Sequence, residues 1–273
     1  MNPATDVTTD APTDQLCTAP SAPISNPTID QQLRHRTIRQ YQDKPLPAEV
    51  LDTLLTVARH GATSSFFQHF SIIHVTDPAV REQMYLSSGQ PYVGGTKADL
   101  FVFVIDLHRN AEIRRAAGKD LEPLTRTGVF FQGYQDTMIA AQNMVVAAES
   151  MGLGTTYLGS LTNDVERVIE ALKLPDYTFP AVGMLVGYPD QTPQFKPRLP
   201  RALTVGENAY PELGEHAEEL AAYDQTVQEY YDLRDANNRV DSFSNQVANN
   251  LGKGPFVESD VRAVLLRQGL CLK

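Results

Sequence analysis

The chain has no tryptophan and only two cysteines, Cys17 and Cys271, which stand near its two ends. Two cysteines so placed form neither a disulfide framework nor the spacing of a metal site, so we expect no metal. Such scarcity is typical of a reducing compartment, and we expect a cytoplasmic protein. The sequence also lacks an apolar run of the ~18 residues that a membrane span needs. Its first residues have neither the basic start nor the apolar core of a secretory signal.

Basic residues are in deficit. The chain has 23 lysines and arginines against 33 aspartates and glutamates, which gives a net charge of −10. An acidic surface repels nucleic acid and anionic lipid, so we expect neither as a partner. A local cluster of cations is therefore conspicuous in this chain, and an anionic ligand is the most common reason for one.

The length and composition permit a large core. The chain has 273 residues, of which 42% are hydrophobic, enough for one large domain or two ordinary ones. Residues 1–27 are rich in Pro, Thr, Ser, Ala and Asp, which is typical of a disordered tail. We expect a main domain over residues 28–210. Residues 211–273 would form a C-terminal helical extension that packs on the core or on a partner subunit.

Hydrophobic spacing predicts a mixture of helices and few strands. The predicted strands are Ser71–Val75, Leu100–Ile105, Thr155–Leu158 and Phe179–Val186. The predicted helices include Asp77–Gly89, Pro47–Ala58, Gly128–Met151, one capped by Asn163, and 213–235. Strands and helices do not alternate regularly, so the order indicates an α+β fold rather than a doubly wound parallel sheet.

The segment Gly152-Leu153-Gly154 resembles part of a dinucleotide-binding fingerprint. That fingerprint needs a strand, a glycine turn and then a helix, so that the helix N-terminus meets the pyrophosphate. Here a predicted helix precedes the glycines and a strand follows them. The glycines are better interpreted as the end of a helix.

The first candidate site is a basic loop in which Arg34, His35, Arg36, Thr37 and Arg39 stand within six residues. Arginine suits bidentate contact with a phosphate, and threonine adds a hydroxyl donor. Alone, the loop is a weak signal and is better interpreted as a solvated basic turn.

A second basic loop, Lys196-Pro197-Arg198, strengthens the hypothesis. Pro197 stiffens the backbone between two cations, and rigid spacing suits an anion. Charge-assisted hydrogen bonds contribute about 1.5–3 kcal/mol each, so three or four would hold a phosphate-bearing ligand firmly. Whether the fold joins the two loops is not determined by the residues alone.

Several spaced motifs occur through the chain in a fixed order. They are His35-Arg36-Thr37-Ile38-Arg39, Thr63-Ser64-Ser65-Phe66-Phe67-Gln68, Ser88-Gly89-Gln90, Ala147–Gly154, Tyr157-Leu158-Gly159 and Lys196–Pro200. With them, from about residue 33 to 210, the chain resembles the nitroreductase superfamily, in particular the oxygen-insensitive NADPH nitroreductase and NADPH-flavin oxidoreductase group. The resemblance implies an FMN-bearing homodimer with a central, mostly antiparallel sheet flanked by helices, and a cofactor site at the subunit interface.

The resemblance also implies roles for particular residues. FMN would be contacted by His35, Arg36, Thr37, Arg39, Lys196 and Arg198. The flavin or its ribityl chain would touch Thr63, Ser64 and Gln90, and the backbone of Leu158 and Gly159 would approach the ring. Ser65 and Phe66 would line the open face where substrates stack, and Arg234 and Arg239 would take the 2′-phosphate of NADPH. Those two arginines are also compatible with surface ion pairs, because acidic residues surround them.

Two departures from the family pattern concern substrates. Ser160 replaces a second glycine after Gly159, which would tighten access to the ring. Val240 stands where the family often has another arginine after Arg239, which would weaken the preference for NADPH.

The family mechanism assigns the chemistry to the flavin rather than to a side chain. NADPH would deliver hydride to N5, and a nitroaromatic, quinone or related acceptor would then take two electrons from the same face, a ping-pong order. Arg39, with Lys196 second, would stabilise negative charge on the reduced ring electrostatically. Alternatives are a flavin reductase that supplies reduced flavin, a non-catalytic FMN-binding redox sensor, and flavin chemistry on one specialised metabolite.

Overall fold

The computed structural model describes residues 19–234, 241–251 and 260–273, with the backbone alone for residues 231–234. The chain forms two compact units. The first, here called the basic-loop unit, comprises Met1–Arg36 and Gln194–Pro255. The second, the sheet unit, comprises Thr37–Pro193 and Phe256–Lys273. The division into a tail, a main domain and an extension at residues 27 and 210 stays a prediction.

The secondary structure is mixed, as the sequence predicts. The helices are α1 (Pro27–Leu33), α2 (Ala48–Arg59), α3 (Pro78–Ser88), α4 (His108–Ala116), α5 (Thr127–Ser150), α6 (Val165–Leu172), α7 (Ala217–Arg234), α8 (Phe243–Asn250) and α9 (Val261–Arg267). The strands are β1 (Phe70–Val75), β2 (Asp99–Asp106), β3 (Gly154–Leu158) and β4 (Thr178–Gly187). Among the described residues, no helix has the length and apolarity needed to cross a membrane.

The four strands form one sheet in the order β1-β2-β4-β3. Every neighbouring pair is antiparallel, which confirms the predicted α+β class with its antiparallel sheet. β2 is central and buried over nearly its whole length. Its continuous apolar sequence is explained by this position, because helices cover both faces of the sheet.

The two faces of the sheet pack into separate hydrophobic clusters. On one face Phe103 packs with residues of α2 and α5, including Leu54 and Met144. On the other face Val102 packs with residues of α3 and α6, including Met84 and Val168. Alternate residues of β2 therefore serve opposite layers, which is the expected consequence of the two-residue period of a strand.

The helix α5 lies very close to the sheet at Gly133. A Cβ built on Gly133 would stand 2.7 Å from Cγ2 of Ile105 and 3.4 Å from Cβ of His69. Apolar residues lie nearly all round α5, which predicts burial in a core or in a subunit interface. Phe131 and Ile139 are 56% and 40% exposed in the single chain. One side of α5 is thus uncovered in a single copy.

Three local expectations need correction. The cap of α6 is Asp164, whose side chain accepts a hydrogen bond from the Arg167 backbone N–H, and not Asn163. The helix predicted over 213–235 begins at Ala217, after a 3-10 turn at Leu213–His216. Helix α4 has no strong apolar periodicity and was not predicted; three of its nine residues are arginines.

The C-terminal segment of the sheet unit packs against the core. Val264 and Leu270 are 1% and 0% exposed. The side chain of Gln268 donates to the carbonyls of Pro175 and Thr178, at 3.0 Å each. The last carbonyl, of Lys273, accepts from the Thr127 N–H at the start of α5. The C-terminal segment thus packs into the core and contacts the first turn of α5.

Candidate functional site

In the basic-loop unit, the two basic loops are joined by an arginine–aromatic contact. The guanidinium carbon of Arg36 lies 3.9 Å from the ring centroid of Phe195, the residue before Lys196. Nε of Arg36 is buried and has no hydrogen-bond partner among the described residues. A buried unpaired donor is costly, most of all when it is charged. Such a donor is suited to an acceptor that comes from outside the chain, for example a phosphate oxygen.

The second basic loop is held by its backbone. The guanidinium of Arg198 donates to the Lys196 carbonyl at 2.9 Å. The hydroxyl of Tyr223, a buried residue of α7, donates to the Pro197 carbonyl at 3.3 Å. Lys196 and Arg198 themselves are exposed, and His35 is half-buried. The unit therefore fixes the loop while it leaves both cations at the surface.

In the sheet unit, the segment that carries Thr37 and Arg39 runs along β3. The Ile38 N–H donates to the Thr155 carbonyl at 2.9 Å, and Thr37 forms a parallel bridge with Thr155. The close approach requires Gly154, because a Cβ there would lie 2.6 Å from Cγ1 of Ile38. The basic segment is thereby fixed to an edge strand.

A buried tyrosine secures the same segment. The hydroxyl of Tyr41 donates to the Ile38 carbonyl at 2.7 Å, and the hydroxyl of Thr156 donates to the same oxygen. Burial raises the pKa of the Tyr41 hydroxyl well above its ordinary value. The phenol therefore stays protonated and remains a donor across the whole neutral range.

Arg39 lies near the aromatic ring of Tyr92, which follows Gln90 closely in the chain. The Arg39 guanidinium carbon is 5.8 Å from the ring centroid of Tyr92, two residues after Gln90. The Gln90 N–H donates to the Ser88 hydroxyl at 3.1 Å, and Gln90 itself is half-buried. Gln90 thus follows the end of α3 directly, and the residue two positions after it contacts Arg39.

The turn after β3 is tied to the same end of α3. The Ser87 hydroxyl donates to the carbonyls of Leu161 and Asp164, at 2.8 and 2.9 Å. Leu158 is buried, whereas Gly159 is exposed, and a Cβ on Gly159 would meet no described heavy atom within 4 Å. The backbone at Gly159 is therefore open to a planar ligand. Ile38, Val93 and Leu158, which lie in or beside the predicted segments, belong to one hydrophobic cluster of the sheet unit.

The loop Thr63–Gln68 has an unusual backbone. Ser65, Phe66 and Gln68 adopt positive φ angles of 51°, 61° and 53°. Each such residue costs about 1–2 kcal/mol relative to an ordinary conformation. The ring of Phe66 is nevertheless 82% exposed. Strained backbone that carries an exposed aromatic ring is typical of a functional loop.

The sheet separates this loop from the region around Gly159. The loop leads into β1 at one edge, and Gly159 follows β3 at the other edge. Three strand spacings of about 4.8 Å, or about 14 Å in all, lie between the two edge strands. This separation is longer than a hydrogen bond or a direct side-chain contact. In one chain, the loop and Gly159 thus adjoin opposite edge strands of the sheet.

A cavity of about 1160 Å³ lies beside the loop. Its walls come from α2, α4 and α5 and include Phe66, Phe67 and Arg109. Thr37, Arg39, Gln90 and Gly159 are not in its lining. The cavity is large, but the predicted cofactor-binding residues of the sheet unit do not line it. Its size therefore does not make it the cofactor site.

Two predicted residues cannot be located. Arg239 lies outside the described residues, and for Arg234 the structure describes only the backbone at the end of α7. Their proposed contact with NADPH stays a prediction.

Sequence reasoning missed three residues that the structure places beside the predicted site residues. Phe195 stacks on Arg36, and Tyr92 lies near Arg39. Asp136 is 1% exposed on α5 and accepts the Ser64 N–H at 2.7 Å. The two aromatics adjoin predicted motifs, which was an available signal. For Asp136 the signal was a carboxylate within a largely apolar helix.

Two family models match the chain over nearly all of the region that carries the predicted motifs. The model of the Nitroreductase family matches residues 33–188, and the model of the Nitroreductase family C-terminal domain matches residues 196–273. An FMN reductase (NADPH) of Bacillus subtilis is 39% identical over 233 residues, which are 84% of this chain and 93% of that protein. An NADPH-dependent oxidoreductase of Staphylococcus aureus is 41% identical over 228 residues, which are 80% of this chain and 88% of that protein.

The fold is also similar to a solved structure. The NfrA1 nitroreductase from B. subtilis superposes with a TM-score of 0.85 at 36% identity, covering 90% of this chain and all of that one. Both the sequence matches and this superposition extend over most of the chain. The resemblance in the spaced motifs is thus confirmed, and the chain belongs to the nitroreductase family.

Proposed function

We propose that the protein is an FMN-dependent NADPH oxidoreductase that reduces nitroaromatics, quinones or related acceptors. The observation that carries this proposal is the contact between Arg36 and Phe195, because it joins the two basic loops of an acidic chain. The buried Nε of Arg36, unpaired among the described residues, fits a phosphate-bearing cofactor. The relatives named FMN reductase (NADPH) and NADPH-dependent oxidoreductase support the same cofactor and co-substrate.

We assign FMN binding to the residues that the family motifs single out. The phosphate and its surroundings would be held by His35, Arg36, Lys196 and Arg198, and the remaining contacts would come from Thr37, Arg39, Thr63, Ser64, Gln90, Leu158 and Gly159. Arginine gives the bidentate geometry that a phosphate needs, and Lys196 adds a point charge. The open backbone at Gly159 supports its role beside a planar ring.

Bound FMN would supply two-electron chemistry at N5, with hydride from NADPH and a second substrate that accepts the electrons in a ping-pong order. The chain holds and orients the reactants. Arg39, fixed to β3 through Ile38, would provide a positive charge that stabilises negative charge on the reduced ring. Ser65 and Phe66 would form the wall against which substrates stack. Arg234 and Arg239 would bind the 2′-phosphate of NADPH.

A homodimer is part of the proposal. The loop Thr63–Gln68 and Gly159 adjoin opposite edge strands of the sheet in one chain, which supports a second copy that supplies the loop to the region around Gly159. The exposed side of α5, at Phe131 and Ile139, supports an interface there. Sedimentation of the purified protein tests this point: a monomer at the concentration used for turnover would contradict it.

Anaerobic titration with NADPH, followed in the visible spectrum, tests the function. We expect a yellow protein whose flavin absorbance bleaches at one equivalent of NADPH per bound FMN and returns when a quinone or nitrofuran is added. A protein that stays colourless when FMN is supplied would overturn the proposal.

A flavin reductase is the second candidate, and the name of the B. subtilis relative favours it. Steady-state turnover on free FMN, compared with turnover on a nitrofuran and a quinone, separates the two activities. A bound flavin that NADPH does not bleach would instead indicate a non-catalytic redox sensor.

A further inference from the structure

The loop Thr63–Gln68 is held at both ends by one buried carboxylate. Oδ1 of Asp136 accepts the Ser64 N–H at 2.7 Å, and Oδ2 accepts the His69 N–H at 3.2 Å. Asp136 is 1% exposed and His69 is 2% exposed. A carboxylate has an acceptor on each oxygen, so a single side chain satisfies two backbone donors that lie five residues apart.

The carbonyl groups of the same loop are held by cationic and amide donors from α4. The Arg109 guanidinium donates to the carbonyls of Gln68 and Phe70, at 2.7 and 2.9 Å. The side-chain amide of Asn110 donates to the Phe67 carbonyl at 3.4 Å. The carboxylate of Asp136 thus accepts from the N–H groups, and the guanidinium of Arg109 donates to two of the C=O groups. These bonds are charge-assisted, whereas the bond from the neutral amide of Asn110 is not.

Asp136, Arg109 and Asn110 together are here called the clamp. The clamp holds the loop on either side of its strained backbone. Ser65, Phe66 and Gln68, all at positive φ, lie between the two amides that Asp136 binds. Residues other than glycine leave that conformation readily unless their surroundings impose it. The exposed rings of Phe66 and Phe67 gain little burial from the loop itself. The restraint must therefore come from the fixed ends of the loop.

The position of Asp136 depends on the close contact of α5 with the sheet. Gly133, three residues earlier on the helix, is the point at which α5 approaches Ile105 and His69. Residues three apart share a helix face. The absence of a side chain at Gly133 thus lets Asp136 reach the loop directly, without a bridging group.

We propose that Asp136 is a positioning residue, which with Arg109 locks the loop Thr63–Gln68 in its left-handed conformation and so presents Phe66 ready-made to the electron acceptor. The part of this inference that concerns the acceptor rests on the proposed function. The part that concerns the loop does not. Asp136 is buried, so it acts through the backbone that it holds.

The test is Asp136→Asn in the full chain as purified. Asparagine keeps the size and one oxygen, but its amide group meets a backbone N–H where an acceptor is needed, so one of the two hydrogen bonds is lost. We expect amide exchange in a peptide covering residues 62–70 to become at least tenfold faster. The KM for a nitrofuran acceptor should rise about tenfold, with kcat changed less than threefold.

Two further variants separate positioning from general stability. Asp260→Asn removes a carboxylate that accepts a backbone N–H at the start of α9, and it should leave exchange in the 62–70 peptide unchanged. Gln68→Gly, added to Asp136→Asn, places glycine at a positive φ. Exchange in the 62–70 peptide should stay fast, because one hydrogen bond to residue 136 is still missing, but part of the rise in KM should be reversed, because the strain at one of the three left-handed residues is gone.

The outcomes are distinct. Unchanged exchange in Asp136→Asn overturns the clamp. Faster exchange with an unchanged KM overturns the link to the acceptor. If the unsubstituted protein does not oxidise NADPH, the proposed function fails, and the exchange data alone then decide whether Asp136 holds the loop.

Discussion

Arg36 combines an aromatic contact with an unsatisfied donor, and each observation has a consequence for binding. The ring of Phe195 fixes the guanidinium plane, and the buried Nε lacks a partner among the described residues. Fixing the plane in advance reduces the entropy lost when a ligand binds. A phosphate would therefore find a donor group that is already oriented.

Substitution of Arg36 by alanine should weaken FMN binding by a factor of about 10 to 100, since a charge-assisted hydrogen bond contributes about 1.5–3 kcal/mol. Quenching of flavin fluorescence during titration of the apoprotein measures the change. Arg34→Ala is the matched control: Arg34 belongs to the same basic loop but is exposed, so its loss should change the dissociation constant less than threefold. Equal effects would show that only the net charge of the loop matters.

His69 gives a pH dependence at the same scale. The pKa of His69 is lowered, and the largest cause of this shift is burial. Asp136 opposes the shift, and Arg109 reinforces it. The folded state therefore favours neutral His69, and the unfolded chain takes up the proton first. This contribution to stability is complete above the unfolded pKa of about 6.5. It is lost as the pH falls from that value towards the lower folded pKa.

Urea unfolding between pH 7.5 and pH 5 tests this linkage. The midpoint of the unsubstituted protein should fall on acidification more steeply than that of His69→Gln, in which the titrating group is gone. The matched control is His60→Gln, because His60 is exposed; its curve should run parallel to that of the unsubstituted protein. A His69→Gln curve that is also parallel would contradict the prediction.

At the scale of elements, the packing of α5 on β2 depends on one glycine. A Cβ at Gly133 would meet Ile105 Cγ2 at 2.7 Å, whereas a Cβ at Gly128, on the same helix, would meet nothing within 4 Å. The first substitution forces the helix and strand apart. The second fills open space and removes a residue of poor helix propensity.

Opposite stability changes should follow from the two alanine variants. Gly133→Ala should lower the free energy of unfolding by about 1–3 kcal/mol through overpacking. Gly128→Ala should raise it by up to about 1 kcal/mol through helix propensity. Thermal unfolding followed by circular dichroism measures both. If Gly133→Ala leaves the midpoint unchanged, the close approach of α5 to the sheet is not as tight as the distances indicate.

At the scale of the whole molecule, the C-terminal residues complete the core of the sheet unit. Leu270 is fully buried, while Leu272, two residues later, is 52% exposed. The hydrophobic cluster around Leu270 also contains Ile105 of β2 and Phe179 of β4. Residues distant in sequence therefore share one cluster, and its integrity depends on the last residues of the chain.

Leu270→Ala should lower the free energy of unfolding by about 2–5 kcal/mol, the range for a leucine removed from a packed core. Leu272→Ala, at a largely exposed position, should change it by no more than about 0.5 kcal/mol. Chemical denaturation of both variants gives the comparison. Similar losses would mean that the C-terminal segment acts as a whole and not through the buried leucine.

Prediction from the sequence was strongest where a single local pattern is sufficient. The apolar run at Leu100–Ile105 predicted a strand buried on both faces, and β2 is that strand. The cap residue Asp77 and the glycine Gly89 predicted the ends of α3. Prediction was weakest at α4, whose polar sequence carries no apolar stripe. It also failed at the cap of α6, where two neighbouring residues are both good caps.

For the candidate site, the sequence by itself determined the ligand class and tertiary structure decided the grouping. Clustered cations in an acidic chain, and motifs in a fixed order, were enough to predict an anion site and the family, because residue types and their local order are properties of the chain. The contact of Arg36 with Phe195, the attachment of Ile38 to β3 and the grip of Asp136 on the strained loop were not accessible in that way. Each joins residues tens of positions or more apart, and such pairs are brought together only by the packing of the sheet and helices.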